Sequence, residues 1–140
     1  MASSTEIGVT GLAELERQLL RLETEVAGKA VRGSLSFAAR PMRDRARELA
    51  PRDTGNLSEQ IQMRSELGGA QRRVAATVHV LVRQRRGFYG ALVEFGARQM
   101  PAQPFMRPAF DATAPEAVER FRASLARRIK RAMKRKASKA

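Results

Sequence analysis

Three prolines at positions 101, 104 and 108 restrict this chain more than any other feature. They thread the segment VEFGARQMPAQPFMRPAF, Val93 to Phe110. Proline fixes φ and carries no backbone donor, so the interior of a helix or a strand is closed to it. A plain loop would be more polar than this one, which mixes its prolines with phenylalanine, methionine and arginine. The composition predicts a rigid, ordered strap. Its backbone is set before any partner arrives, so little ordering entropy is lost on binding. Phe105, Met106 and Phe110 are suitable apolar anchors, and Arg98 and Arg107 suit an interface. The competing reading is a loop that caps the subunit's own core. Both hold if Phe105 points inward and its neighbours outward. The expected subunit or partner contacts are therefore Glu94, Phe95, Arg98, Pro104, Phe105, Met106, Arg107 and Phe110.

The rest of the chain reads as helices around a hairpin. Leu12, Leu15, Leu19, Leu22 and Val26 recur at spacings of three or four, which predicts a first helix with Thr10 as its N-cap. Gly28 and Gly33 predict a break or bend after it. Leu35, Ala38, Ala39, Met42, Ala46 and Leu49 predict a second helix, kinked or started by Pro41 and closed by Pro51. Asp53, Thr54 and Gly55 read as a turn. LSEQIQMRS, from Leu57, and RVAATVHVLV, from Arg73, predict a hairpin turned by GGAQ. Val74, Ala76, Val78, Val80 and Val82 share a face that needs cover. FYGALVEFG fits a short helix or a strand. Thr113, Pro115 and Glu116 predict the start of a last helix over about 113–135. The expected fold class is α+β: N-terminal helices packed on a small antiparallel β-sheet, with a basic C-terminal helix. Residues 11–135 form one domain in this reading, with a flexible 1–10 and a frayed 136–140.

Charge and chemistry narrow the function. The net charge is +13, and residues 116–140 hold ten Lys/Arg against Glu116 and Glu119. Such an end meets nucleic acid or an acidic surface, or it only keeps the chain soluble. Arg127, Arg128, Lys130, Arg131, Lys134 and Arg135 are the candidate contacts to DNA or to an acidic protein surface. No helix-turn-helix, zinc or aromatic platform accompanies them, so any DNA contact is expected to be independent of sequence. There is no cysteine, and the one histidine, His79, alternates with valines. A thiolate or multi-histidine metal site is excluded, and no cofactor is expected. Glu94, between Val93 and Phe95, reads as a partly buried carboxylate: a general base, or a partner for an arginine of a neighbouring strand or subunit. With so many arginines present, pairing is the preferred reading, and no enzymatic activity is expected. No apolar run is long enough for a membrane span and no signal-peptide layout is present, so a cytoplasmic site of assembly is expected.

Three motifs in order then carry a resemblance. Pro51, Thr54, Gly55 and Leu57 form the first. Tyr89, Val93, Glu94, Phe95 and Gly96 form the second. Gln103, Pro104, Phe105, Arg107, Pro108 and Ala109 form the third. Together they resemble the neck, or tail-component, family of long-tailed bacteriophages. Ala97 departs from the family's usual threonine, and Pro41 interrupts the second helix. The resemblance implies a structural virion protein: one subunit of a homo-oligomeric ring in the neck that joins the DNA-filled head to the tail. Implied partners are head-closure or connector proteins, tail-terminator or tail-tube proteins, and packaged DNA through a contact independent of its sequence. In such a ring Glu94 becomes a candidate partner for a neighbour's arginine. The alternative is a non-specific DNA-binding protein acting through the basic C-terminal helix.

Overall fold

The computed structural model describes residues 11–51, 56–68, 75–83 and 87–139, without the side chains of 56, 75 and 87–89. The expected flexible N-terminus, the turn at Asp53 to Gly55, most of the hairpin turn, Val74, most of the RQRRG loop and the Tyr89 side chain lie outside these. The elements in order are α1 (Leu12–Leu20), α2 (Thr24–Leu49), α3 (Asn56–Gln60), β1 (Ile61–Gly68), β2 (Ala75–Val82), α4 (Gly87–Phe95) and α5 (Met106–Lys139). The fold is mostly helical with a two-stranded antiparallel sheet, as the α+β reading expected.

Helix α1 is capped by Gly11, at φ 85°, and not by Thr10. The expected break also moves. It falls at Arg21–Glu23, and α2 runs unbroken through Gly28 and Gly33. Glycine costs about 1 kcal/mol in a helix interior, but that cost is offset where the missing side chain allows close packing. Gly28 is buried with Ala27, Ala30, Ser34 and Ala38, a row of small residues on one side of α2. A Cβ on Gly33 would lie 2.5 Å from the guanidinium of Arg128 on α5. The α2–α5 contact is the most extensive between elements.

Pro41 likewise sits inside α2. It has no N–H to give to the Phe37 carbonyl four residues earlier. Arg120 of α5 supplies the missing donors: its Nε and Nη2 donate to the Phe37 oxygen at 3.2 and 3.0 Å. The same guanidinium stacks on the Phe37 ring, 3.9 Å from its centroid. The helix survives its proline because a neighbouring helix satisfies the orphaned acceptor.

The last helix is longer than 113–135 at both ends. It starts at Met106, so Pro108 is its third residue. The first four N–H groups of a helix have no acceptor within it, so the first turn tolerates the proline that its interior would reject. Thr113 is therefore not a cap. It is buried, and its hydroxyl donates back to the Ala109 carbonyl at 2.6 Å. Pro115 deprives the Asp111 carbonyl of its helix donor, on a face where both residues are exposed to water. At the far end α5 stays helical to Lys139, beyond the expected fraying point.

The hairpin pairs Ile61 with Val82, Met63 with Val80 and Ser65 with Val78 on its covered face. Leu57, expected in the first strand, belongs to α3 and is buried. Two arginines of α2 hold β1. Arg47 donates to the Ile61 carbonyl at 3.0 and 2.8 Å, and Arg32 donates to the Ser65 hydroxyl at 2.8 Å. Two apolar clusters result. One joins Ala46, Ala50, Leu57, Ile61, Val93, Phe105 and Ala109 where α2, the sheet and the strap meet. The other joins Ala30, Leu125 and Ile129 with the leucines of the N-terminal segment.

Candidate subunit interface

The proline strap is built between two helix ends that complete each other. Helix α4 stops at Phe95, and Gly96 follows at φ 79°, the left-handed conformation that ends many helices. A Cβ on Gly96 would lie 2.9 Å from the backbone nitrogen of Ala102, so glycine is required there twice over. The chain then makes a tight bridge, with reciprocal N–H to carbonyl bonds between Ala97 and Met100 at 2.9 and 3.0 Å. Gln103 N–H returns to the Val93 carbonyl at 2.8 Å and satisfies one of the orphan acceptors of α4.

Glu94 does the converse for α5. Its Oε2 accepts from the backbone N–H groups of Phe105 and Met106 at 2.7 and 2.9 Å. Its Oε1 accepts from the N–H of Arg107 at 3.1 Å, and from Arg107 Nε at 3.4 Å. One carboxylate thus closes the first turn of a 34-residue helix. A negative charge is favoured there by the helix dipole as well as by the unpaired donors. Burial pushes the Glu94 pKa up, but the three backbone donors and Arg107 outweigh it and hold the carboxyl below its ordinary value.

This geometry decides where each expected contact residue lies. Phe105 is fully buried in the first cluster. Glu94 is turned inward, and its charge is met by Arg107 of its own chain. Phe95 is 70% exposed, although it is the apolar last residue of α4. Arg107 lies over its ring, 5.4 Å from the centroid. Arg98 and Pro104 are exposed, while Met106 and Phe110 are half-buried. The strap therefore presents a fixed outer surface of Phe95, Arg98, Pro104 and Arg107 over an anchored inner one.

The basic candidates divide differently. Arg128, Arg131 and Arg135 line a groove against the start of α2. Lys130 and Lys134 are exposed elsewhere on α5, and Arg127 lies 5.8 Å from the Phe37 ring centroid. At about 1.5 Å per residue, Arg135 lies roughly 45 Å along α5 from the strap. Among the described residues no group of three or more metal-ligating side chains gathers, and no helix is long and apolar enough to cross a membrane.

A family model described as "Bacteriophage HK97-gp10, putative tail-component" matches residues 13–96, three fifths of the chain. The chain belongs to this family. It is a structural component of a bacteriophage tail, and thus a virion protein. The match takes in the first two motifs, including Glu94 and Gly96. It ends before the third, so α5 and most of the strap lie outside it. No curated protein and no solved structure matches the chain. Sequence reasoning had no sight of two features. The Arg120–Phe37 staple was foreshadowed only by Pro41, which implies an orphan carbonyl without naming its donor. The groove needs two distant segments brought together, and no local pattern announces it.

Proposed function

We propose that this tail component forms a ring in the neck of a phage or prophage particle, joining the DNA-filled head to the tail. The observation that carries the reading is the clamped strap. Glu94, Gly96 and buried Phe105 fix its backbone, so Phe95, Arg98, Pro104 and Arg107 stand in a set geometry before assembly. A large exposed aromatic with an arginine over it is the kind of anchor that concentrates binding energy at protein interfaces. Closed rings use heterologous contacts, in which one patch meets a different patch on the next copy. The strap is one such patch. Neighbouring head-closure, connector or tail-terminator rings are the remaining partners in this reading.

Phe95→Asp tests it, because the side chain is exposed and its loss leaves the core intact. The expected result is an unchanged thermal melt of the isolated subunit, with heads and tails that fail to join in infected or induced cells. Normal yields of infectious particles carrying Phe95→Asp overturn the strap as an assembly surface. A second reading, sequence-independent DNA binding through α5, draws on exposed Lys130 and Lys134. It predicts duplex affinity that falls steeply with salt, by a slope set by several phosphate contacts.

A further inference from the structure

A groove of about 580 Å³ runs between the start of α2 and the last turns of α5, far from the strap. Its floor is apolar: Leu22, Val26, Ala30 and Ala132. Val26 is 38% exposed there. Its rim is cationic, with Lys29, Arg128, Arg131, Arg135, Lys136 and Lys139 against the single carboxylate of Glu23. Part of that charge is already engaged. Lys29 pairs with Glu25 at 2.9 Å, Lys136 Nζ donates to the Arg21 carbonyl at 3.1 Å, and Arg128 Nε donates to the Ser124 hydroxyl at 3.3 Å. The guanidinium groups of Arg131 and Arg135 have no hydrogen bond or ion pair with any described residue; the Arg135 carbonyl alone accepts from the Ser138 hydroxyl, at 3.0 Å. Two unanswered guanidinium groups, one turn apart, thus border an apolar floor on which Val26 is exposed and Leu22 and Ala132 are half-buried.

That combination selects its ligand. A phosphodiester backbone gains from the cations and nothing from Val26 or Leu22. A peptide segment carrying both carboxylates and apolar side chains gains from both. Arginine is the side chain best suited to hold a carboxylate with two parallel bonds. The apolar floor between two helices has the form of a helix-in-groove site. We propose that this groove docks an acidic segment of a partner protein, with its carboxylates on Arg131 and Arg135 and its apolar side chains on Val26 and Leu22. The inference stands apart from the ring reading, which concerns the opposite end of α5.

The test is fluorescence anisotropy with the full-length protein at about 0.15 M salt. The first probe is a labelled, glutamate-rich helical peptide of about four turns with leucines at i, i+3 and i+7. The second is the same peptide with glutamine for leucine, and the third a labelled duplex of about 20 base pairs. The leucine-bearing peptide is expected to bind about tenfold or more tightly than its glutamine counterpart. Arg131→Glu with Arg135→Glu is expected to weaken it by about tenfold or more, and Val26→Asp by a similar factor. Lys130→Glu with Lys134→Glu makes the same change in net charge away from the groove, and is expected to weaken it by less than about threefold. Matching thermal melts establish that the variants are folded, and Val26→Ser replaces Val26→Asp if the latter is not. The proposal is overturned if the peptide does not bind, or if its leucines make no difference. It is also overturned if both pairs of substitutions weaken it equally, or if only the duplex binds.

Discussion

At the residue scale the strap depends on Glu94. Three backbone donors and one guanidinium converge on a carboxylate whose side chain is only 7% exposed. Glutamine keeps the shape but offers one acceptor oxygen where two are used, and it aims an amide N–H at a donor. Hydrogen bonds to a charged group contribute about 1.5–3 kcal/mol, so Glu94→Gln is expected to lower the melting temperature by roughly 5–15 °C at neutral pH. The pH dependence has a definite sign. The folded pKa lies below the ordinary value, so the stabilisation is full above that value and is lost as pH falls through it toward the lower folded one. The gap between wild type and Glu94→Gln, followed by melts from pH 7 down to about pH 3, should therefore narrow below about pH 4.3. A gap that stays constant would mean that the charge of Glu94 contributes nothing. The sequence already marked Glu94 as a buried carboxylate seeking a partner. Its partner stayed hidden because backbone donors become a target only where a helix starts. Thr113, Pro115 and Glu116 argued for a start near Thr113, whereas the first turn lies at Met106.

At the element scale the periodic patterns carried most of the fold. The valine alternation of β2 faces its cover, and the leucines of α1 and the stripe of α5 pack together as their spacing implied. What was not legible came from tertiary contact overriding local preference. Gly28 and Gly33 read as breakers until another helix lies against them. Pro41 read as a kink until Arg120 reaches its orphan carbonyl. A double-mutant cycle isolates this staple. Arg120→Met alone is expected to cost about 1–2 kcal/mol in denaturant unfolding. Pro41→Ala restores the N–H to the Phe37 carbonyl, so in that background the same change should cost about 1 kcal/mol less. Strict additivity would show that Arg120 acts through its contact with the Phe37 ring alone.

At the scale of the whole molecule, α5 separates two surfaces: the strap at its N-terminus and a strongly basic end roughly 45 Å away. The arrangement suits its own electrostatics, with a carboxylate at the positive end of the helix dipole and cations at the negative end. The charge excess was plain in the sequence, but its allocation was not. Arg32, Arg47 and Arg120 are spent on backbone or hydroxyl acceptors within the subunit, which leaves fewer cations for partners than composition implies. Truncation after Ala132 removes Met133 and the last four basic residues while keeping Ile129. The shortened subunit should fold with a melting temperature lowered by less than about 5 °C, yet the yield of infectious particles should fall. Undiminished infectivity would show that the basic end is dispensable in the virion.

Hydrogen exchange in the free subunit, read at single-amide resolution, tests most directly whether the strap is set before docking. The amides of Phe105, Met106, Arg107 and Gln103 are predicted to exchange far more slowly than an unstructured peptide, and Glu94→Gln should release the first three while sparing the interior of α5. Exchange of these amides at the unstructured rate in the unassembled wild-type protein would contradict a strap held ready by Glu94.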